Sequence, residues 1–298
     1  MIHRYFAYGL DVASEIPLPH WPPGRGGRTD ACISLGGVPA QLAGPRDRGP
    51  CWWTAPGEFL LDLPGVARFY VRHGEEIRVD PAPGGDFARL RSQLGGVVFG
   101  VLLHQRQRSV ILHASAVRRD DCALVFAASS GGGKSTLMNA MLDRGWTMVA
   151  DDICPVELPE GDGPAWVQPG IAVTRLWADA ATELGRSLSG ASRIGDLGKF
   201  LLPVSEIAPA AVPLRRIFVL SPHTAETVTL RDLNTDESFP RLMRLVYHRA
   251  FLAGLGLTQV RFRQVSRLAP RARVTLVQRP VARMAVREIA DRISDLCT

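Results

Sequence analysis

The chain has 298 residues, 46% of them hydrophobic and 21% charged, which is typical of a globular protein with one large core or two smaller ones. Its five cysteines are scattered and include no Cys-x-x-Cys pair, which argues against a disulfide framework or a zinc site and favours a reducing cytosol. No apolar signal segment opens the chain, and its longest apolar stretch is about half the length of a membrane span. We therefore predict a cytoplasmic protein.

The net charge of +6 is unevenly distributed, because residues 241–298 carry twelve arginines against three acidic residues. Nucleic-acid binding is one interpretation of such a tail. The arginines are spread over apolar, periodic segments, however, and no nucleic-acid-binding motif is recognisable among them. A solvated helix face or a surface for an acidic partner is therefore favoured, and neither a nucleic acid nor a membrane is expected as a partner.

Residues 1–85 are predicted to form a small β-rich domain. Short apolar segments between turn residues indicate strands at residues 31–35, 57–62, 67–72 and 76–79. His73-Gly74, between the last two of these strands, is typical of a hairpin turn. The proline- and glycine-rich segment at 80–85 then predicts a boundary with a second domain, residues 86–298.

The second domain is predicted to belong to the α/β class. Hydrophobic residues recur at helical spacing from Phe87 to about residue 107. Strands are predicted next at residues 110–117, 122–127, 146–152, 214–220 and 274–277. Helices are predicted at residues 136–145, 177–185, 240–252 and 281–296.

A glycine-rich loop, Ala-Ser-Ser-Gly-Gly-Gly-Lys-Ser, occupies residues 128–135, between a predicted strand and a predicted helix. This layout is typical of a nucleotide triphosphate site, since backbone N–H groups and a helix N-terminus surround the phosphate oxygens. We expect Lys134 to reach the β- and γ-phosphates and the Ser135 hydroxyl to bind Mg²⁺. The nucleotide-binding candidates are Ser130, Gly131, Gly132, Gly133, Lys134, Ser135 and Thr136.

Residue 128 departs from the usual pattern, Gly-x-x-x-x-Gly-Lys-Ser/Thr, because it is alanine where the pattern has its first glycine. A small residue is still compatible with the turn. The alternative is a glycine-rich turn that binds no ligand. The lysine in the loop and the acidic residues further along the chain favour the phosphate-binding interpretation.

Two adjacent acids, Asp151 and Asp152, end the apolar segment that follows the predicted helix. Successive side chains of a strand point to opposite sides, so the two carboxylates are not expected to share one role. One can hold Mg²⁺ together with Ser135, since this ion prefers oxygen ligands, and the other can face a substrate hydroxyl. The alternative is a solvated turn, which the preceding apolar run and the spacing from the loop disfavour.

The chain has only two lysines, Lys134 and Lys199, so every other member of its 35 Lys and Arg residues is arginine. Arginine replaces lysine on a solvated surface, but it is not equivalent where a compact point charge must fit a small space. Lys199 is therefore a second candidate for the site, where it would stabilise charge on a γ-phosphate. The alternative is chance retention of a lysine on a loop.

The segment from residue 113 to residue 152 resembles the catalytic core of bacterial HPr kinase/phosphorylase, whose nucleotide site is similar to that of phosphoenolpyruvate carboxykinase. The family's loop, Gly-x-Ser-Gly-x-Gly-Lys-Ser, matches at Ser130, Gly131, Gly133, Lys134 and Ser135. Its Arg-Gly and Ala-Asp-Asp sequences match at residues 144–145 and 150–152, and its histidine on the preceding strand matches at His113. Its second signature, an acid followed by Arg-Gly-Leu-Gly, is not found.

This resemblance implies an α/β fold with a phosphate-loop core of the HPr-kinase type, and it implies ATP and Mg²⁺ as ligands. It also implies that Asp151 is the base and that Asp152 lies on the metal side with Ser135. Their order stays open, because the sequence alone does not decide it. His113 would orient Asp151 or contact the transferring phosphate, and a histidine satisfied within the sheet is the alternative.

The N-terminal part is similar to small HPr-kinase-like proteins encoded beside lasso peptide biosynthesis genes. The similar segments are residues 8–10, 14–19, 65–69, 104–106 and 112–117. This similarity implies a precursor peptide as partner and phosphorylation of its C-terminal serine. The alternatives are an HPr kinase that acts on a folded carrier protein and a nucleotide-binding regulator that transfers no phosphate. The oligomeric state stays open, a homo-oligomer included.

Overall fold

A computed structural model describes residues 1–189, 191–194 and 198–297 and divides the chain into two compact units. The first unit contains residues 1–111 and 247–264, and the second contains residues 112–246 and 265–298. The boundary predicted at residue 85 falls inside the first unit. Among the described residues, no helix is long and apolar enough to cross a membrane.

The first unit is built on one eight-stranded sheet with the strand order β1-β2-β3-β8-β7-β6-β5-β4. The strands are β1 (His3–Ala7), β2 (Leu10–Ser14), β3 (Ala31–Leu35), β4 (Asp47–Arg48), β5 (Trp52–Ala55), β6 (Glu58–Leu63), β7 (Ala67–Arg72) and β8 (Glu76–Pro81). The four predicted strands are confirmed as β3, β6, β7 and β8, with ends shifted by at most two residues. The predicted hairpin is also confirmed, since β7 and β8 pair antiparallel and the φ angles of His73 and Gly74 are +52° and +70°.

The helix predicted from Phe87 is interrupted in the structure. It consists of α1 (Phe87–Gln93), a π-helical turn (Leu94–Val98) and α2 (Phe99–Arg106). The interruption lies at Gly96, whose φ of −112° and ψ of −114° are not helical. The ring of Phe99 packs against Tyr8 and Trp21, with centroids 5.4 Å and 4.9 Å apart. This packing explains why the first unit extends beyond residue 85.

The second unit is of the mixed α/β type. Its strands are β9 (Ser109–Arg119), β10 (Cys122–Ala127), β11 (Thr147–Ala150), β12 (Ile153–Glu157), β13 (Trp166–Val167), β14 (Val173–Trp177), β15 (Ser192–Ile194), β16 (Lys199–Pro203), β17 (Val212–His223), β18 (Thr229–Leu233) and β19 (Arg273–Pro280). The large sheet has the order β10-β9-β12-β13-β17-β19-β18, with β10 also pairing with β17 and β11 pairing with β9. A small antiparallel sheet has the order β14-β16-β15.

The remaining helices are α3 (Lys134–Leu142), α4 (Ala178–Glu183), α5 (Thr235–Arg244), α6 (Thr258–Leu268) and α7 (Val286–Cys297), and a 3₁₀ turn covers Arg249–Phe251. Helix α5 begins five residues before the predicted start at Pro240. The reason is a capping box, in which Asn234 accepts from the N–H of Glu237 and the Glu237 carboxylate accepts from the N–H of Asn234. Helix α6 was not predicted.

Helices α3 and α7 share a hydrophobic core with β10 and β17. Phe126 of β10 and Phe218 of β17 are fully buried, with ring centroids 6.0 Å apart. Met138 of α3 and Ile289 of α7 belong to the same buried cluster. This core fixes the position at which β10 ends and α3 begins.

Arg261 of α6 is fully buried inside the first unit. Its Nη2 donates to the main-chain oxygen of His104 at 2.7 Å, and its Nη1 donates to the main-chain oxygen of Ser109. Burial lowers the pKa of Arg261 to about 10. Nε2 of His104 in turn donates to the main-chain oxygen of Tyr247 at 2.7 Å. These bonds join segments that are far apart in the sequence.

Candidate active site

The loop between β10 and α3 is shaped by three consecutive glycines. Gly131 and Gly133 have φ angles of +75° and +93°, in the left-handed region that glycine adopts without strain. Gly132 is closely packed, since a Cβ atom on it would lie 2.5 Å from the Cβ of Ala128 and 2.9 Å from the main-chain oxygen of Ser129. Alanine therefore fits at position 128 because residue 132 has no side chain.

Lys134 begins α3 and is buried, with 6% of its surface exposed. Its Nζ donates to the main-chain oxygen of Ser129 at 3.3 Å. Burial lowers the pKa of Lys134, and the carboxylates of Asp152 and Asp151 act in the opposite direction. A compact cation is thus held beside the loop at a helix N-terminus, where partial positive charge also favours an anion.

Asp151 lies at the end of β11 and is held by four donors. Its Oδ1 accepts from the hydroxyls of Ser115, at 2.6 Å, and Ser135, at 2.8 Å. Its Oδ2 accepts from the hydroxyl of Thr174 and from the N–H of Arg175, both at 2.9 Å. The residue is 2% exposed. Asp151 is therefore a fixed, buried carboxylate that is tied to the phosphate loop through Ser135.

Asp152 has a different environment, because the backbone turns sharply at this residue. Its φ is +71°, which is uncommon for a residue other than glycine, and the N–H of Ile153 donates across it to the main-chain oxygen of Asp151 at 2.9 Å. Its Oδ1 lies 3.3 Å from Nε2 of His113, and its Oδ2 accepts from Nη1 of Arg175 at 3.1 Å. Burial raises the pKa of Asp152, but Arg175 and His113 together hold it well below its usual range.

The two carboxylates thus occupy different environments, as expected, but the accessible one is not the one that the resemblance implies. The resemblance makes Asp151 the carboxylate that faces a substrate. In the structure Asp151 is covered by its four donors, whereas Asp152 lines an open pocket. The physical reason is the turn at Asp152, after which the Asp152 carboxylate lies beside His113, whereas the Asp151 carboxylate accepts from the Ser135 hydroxyl.

The pocket in the second unit brings together most of the predicted site residues. It is lined by Gly131–Thr136 of the loop and helix, and by His113, Asp152 and Lys199. Ser130 is exposed and does not belong to the lining, and neither does the buried Asp151. His113 is fixed on β9, where its N–H donates to the main-chain oxygen of Leu245 at 2.7 Å.

Lys199 reaches the pocket from the small sheet. It begins β16, and its cross-strand partner on β14 is Trp177. Nζ of Lys199 lies 4.9 Å from the centroid of the Trp177 ring, within the range of a cation–π contact. Arg175 lies two positions before Trp177, so both side chains are on the same side of the sheet and both line the pocket.

The rest of the lining combines an apolar wall with a further cation. The apolar wall comes from β17, from α7 and from the segment before α7, and it consists of Leu220, Met284, Ala285, Val286 and Ile289. Helices α3 and α4 add Leu137, Ala180 and the carboxylate of Asp179. Arg279, near the end of β19, adds another positive charge. A pocket with one apolar wall and several cations suits a ligand that has an apolar ring at one end and a multiply charged anion at the other.

Sequence reasoning missed several of these residues. Arg175 and Arg279 line the pocket, but nothing distinguishes either from the chain's many other arginines. Ser115 and Thr174 bind Asp151, but each lies on a different strand, and no sequence spacing connects them with residue 151. Arg175 and Trp177 are two positions apart, which in a strand places both side chains on one face. This spacing is only a weak signal of a shared site, because it is informative only once β14 has been recognised as a strand.

The donor atoms around Ser135 fit a magnesium ion. The Ser135 hydroxyl and the Asp151 carboxylate are 2.8 Å apart, and both offer oxygen, the ligand type that Mg²⁺ prefers. Within the part of the chain that the structure describes, no group of three or more His, Cys, Asp or Glu residues could hold a metal by itself. Mg²⁺ is usually bound through one or two protein oxygens together with substrate phosphates.

Comparison with known proteins adds little to this geometry. No protein-family model matches the chain, and no curated protein matches it either. Among solved structures, it is similar to the HPr(Ser) kinase/phosphatase from Coxiella burnetii, with a TM-score of 0.31 and 12% sequence identity over 62% of this chain and 94% of that one.

Proposed function

We propose that this chain is a kinase that transfers the γ-phosphoryl group of ATP to a serine hydroxyl. One observation carries the proposal. A phosphate-type loop with its buried lysine opens into the same pocket as a carboxylate, Asp152, that is paired with a histidine. The first element suits the phosphates of a nucleotide, and the second suits the hydroxyl that would attack them.

The phosphate end is assigned to the loop. Backbone N–H groups from Gly131 to Gly133 and the ammonium of Lys134 bind the β- and γ-phosphates, while the apolar wall near α7 contacts the base. Ser135 and Asp151 would hold Mg²⁺, which would neutralise charge on the phosphate oxygens. The resemblance implies Ser135 with Asp152 instead, and we assign the metal side to Asp151 because its Oδ1 is already bonded to the Ser135 hydroxyl.

The hydroxyl end is assigned to Asp152. The serine oxygen of the acceptor forms a bond to the γ-phosphorus, its proton passes to the Asp152 carboxylate, and the bond from phosphorus to the bridging oxygen of ADP breaks. His113 holds Oδ1 of Asp152 in position. The low pKa of Asp152 is compatible with this role, because phosphoryl transfer depends more on orienting the hydroxyl than on a strong base. Lys199 stabilises charge on the transferring group.

The acceptor is proposed to be the C-terminal serine of a precursor peptide, on the basis of the N-terminal similarity described above. A folded HPr-type carrier protein is the alternative acceptor. The two are separated by incubating the protein with ATP, Mg²⁺ and either a lasso precursor peptide or HPr, and by locating the phosphate by mass spectrometry. Phosphate on HPr alone would replace the peptide assignment and leave the kinase assignment intact.

The assigned roles are tested by comparing Asp152→Asn with Asp151→Asn. We expect Asp152→Asn to retain nucleotide binding but to lower the transfer rate about 10²- to 10⁴-fold, because it removes the proton acceptor. Asp151→Asn should raise the Mg²⁺ concentration needed for half-maximal activity and lower the melting temperature, since it alters a buried acceptor of four hydrogen bonds. Asp162→Asn, on the exposed surface, is the matched control.

The opposite pattern, with transfer lost in Asp151→Asn and the Mg²⁺ requirement raised in Asp152→Asn, would show that the two roles are exchanged. If ATP binds to the wild-type protein but no γ-phosphate leaves it with any acceptor, the chain is a nucleotide-binding regulator and not a kinase.

A further inference from the structure

Arg175 connects the two acids of the pocket. Its main-chain N–H donates to Oδ2 of Asp151 at 2.9 Å, and Nη1 of its guanidinium donates to Oδ2 of Asp152 at 3.1 Å. The side chain is 10% exposed, and it lines the pocket together with the glycine loop. The backbone of Arg175 is thus hydrogen-bonded to the carboxylate of Asp151, while its guanidinium is hydrogen-bonded to the carboxylate of Asp152.

The charges around the pocket are not balanced by protein groups alone. Its described lining contains four cationic side chains, those of Lys134, Arg175, Lys199 and Arg279. It contains two carboxylates, those of Asp152 and Asp179. A triphosphate would supply the missing negative charge. The two lysines are point charges, whereas Arg175 and Arg279 can bind phosphate oxygens through the two parallel N–H groups of a planar fork. Of these two arginines, Arg175 is the one bonded to Asp152.

We propose that Arg175 exchanges partners when ATP binds, so that its guanidinium leaves Asp152 and binds the γ-phosphate. The inference rests on the proposed function. In this exchange the Arg175 main chain stays bonded to Asp151 while the side chain rotates. In the nucleotide-free protein the guanidinium blocks Oδ2 of Asp152. Once it has moved to the phosphate, that oxygen is available to the acceptor hydroxyl.

The exchange makes the base available only when a triphosphate is bound. The serine oxygen then bonds to the γ-phosphorus, its proton passes to Oδ2 of Asp152, and ADP leaves with the electron pair of the broken P–O bond. Arg175 therefore distinguishes ATP from ADP, which lacks the γ-phosphate. An arginine with a purely structural role would not change the difference between the affinities for ATP and ADP.

The experiment is calorimetric titration with AMP-PNP, a non-hydrolysable ATP analogue, and with ADP, both in the presence of Mg²⁺. In Arg175→Gln we expect the Kd for AMP-PNP to rise about 10- to 100-fold, as for the loss of a charge-assisted hydrogen bond, and the Kd for ADP to change less than about threefold. Arg231→Gln, which removes an arginine paired with Glu237 on the exposed surface, is the matched control.

A second variant tests the competition between the two partners. Asp152→Asn removes the carboxylate that holds the guanidinium, so AMP-PNP should bind more tightly than to wild type while ADP binding changes little. In Arg175→Gln/Asp152→Asn this gain should disappear. Arg175→Lys, which keeps the charge but not the fork, should recover only part of the AMP-PNP affinity, and it replaces Arg175→Gln if that variant does not fold.

Equal weakening of AMP-PNP and ADP in Arg175→Gln, or a gain from Asp152→Asn that persists without Arg175, would overturn the inference. Either result leaves the proposed function standing, because the wild-type protein still binds nucleotide. A wild-type protein that binds neither nucleotide would instead refute the proposed function.

Discussion

Gly132→Ala tests whether the phosphate loop depends on the packing between residues 128 and 132. The new Cβ would lie 2.5 Å from the Cβ of Ala128 and 2.9 Å from the main-chain oxygen of Ser129. Carbon atoms in contact are about 3.5–4.0 Å apart, so the loop or the start of α3 must move by about 1 Å. Overpacking of this kind costs about 1–3 kcal/mol, and a displacement of about 1 Å in an active site lowers the rate about 100-fold.

The assay combines thermal unfolding, AMP-PNP titration and the rate of phosphate transfer. The control is Gly161→Ala, because a Cβ at residue 161 would meet nothing within 4 Å and the backbone there is not in the left-handed region. Ala128→Gly/Gly132→Ala should restore part of the lost activity, since it removes the 2.5 Å contact but leaves the oxygen of Ser129 at 2.9 Å. A folded Gly132→Ala protein with wild-type affinity and rate would refute this account of the loop.

Three further predictions concern single side chains. Lys134→Ala should abolish transfer and weaken nucleotide binding in the titration described above, because it removes the buried cation of the loop. Lys199→Ala should lower kcat about 100- to 1000-fold with little change in nucleotide Kd, and Lys199→Arg should not restore full activity, since a planar guanidinium does not occupy the same point. Burial and the charge of Arg261 hold the pKa of His104 well below its ordinary value of 6.5. As the pH falls below 6.5 the unfolded chain therefore binds the proton first, so the free energy of unfolding should fall by about 1.4 kcal/mol per pH unit. Urea unfolding should show a pH dependence that is weaker in His104→Gln than in wild type by about this amount, because the lowered pKa of His20 still contributes in both proteins. Equal slopes in the two proteins would contradict the prediction.

The elements around the phosphate loop could be predicted from sequence because local rules determine them. An apolar run, three glycines and a helical pattern lie next to one another, and the structure has β10, the loop and α3 at these positions. The hairpin at His73-Gly74 is local in the same way, since both residues tolerate a positive φ in a short turn. The break at Gly96 in the helix that begins at Phe87 was not predicted. A glycine inside a helical pattern can mark either close packing or a break, and the sequence alone does not distinguish the two.

Other features depended on tertiary contacts and could not be predicted. The environments of Asp151 and Asp152 are set by the turn between them and by donors on β9 and β14, which come close only in the fold. The place of Arg175 in the pocket could not be predicted for the same reason, because β14 approaches the phosphate loop only in the fold. The start of α5 was missed because Pro240 is typical of a first helical turn, whereas the capping box at Asn234 places the start earlier.

The discontinuity of the first unit constrains how the chain can fold during its synthesis. Residues 247–264, including Arg261 with its bonds to the main-chain oxygens of His104 and Ser109, leave the ribosome only after residues 112–246 have emerged. Until then the early strands lack part of their own compact unit, and the second unit still lacks β19 and α7, which lie in residues 265–298. The N-terminal strands are thus the first part of the chain to be synthesised, yet their unit is completed only by residues 247–264, and the second unit is completed later still, by residues 265–298.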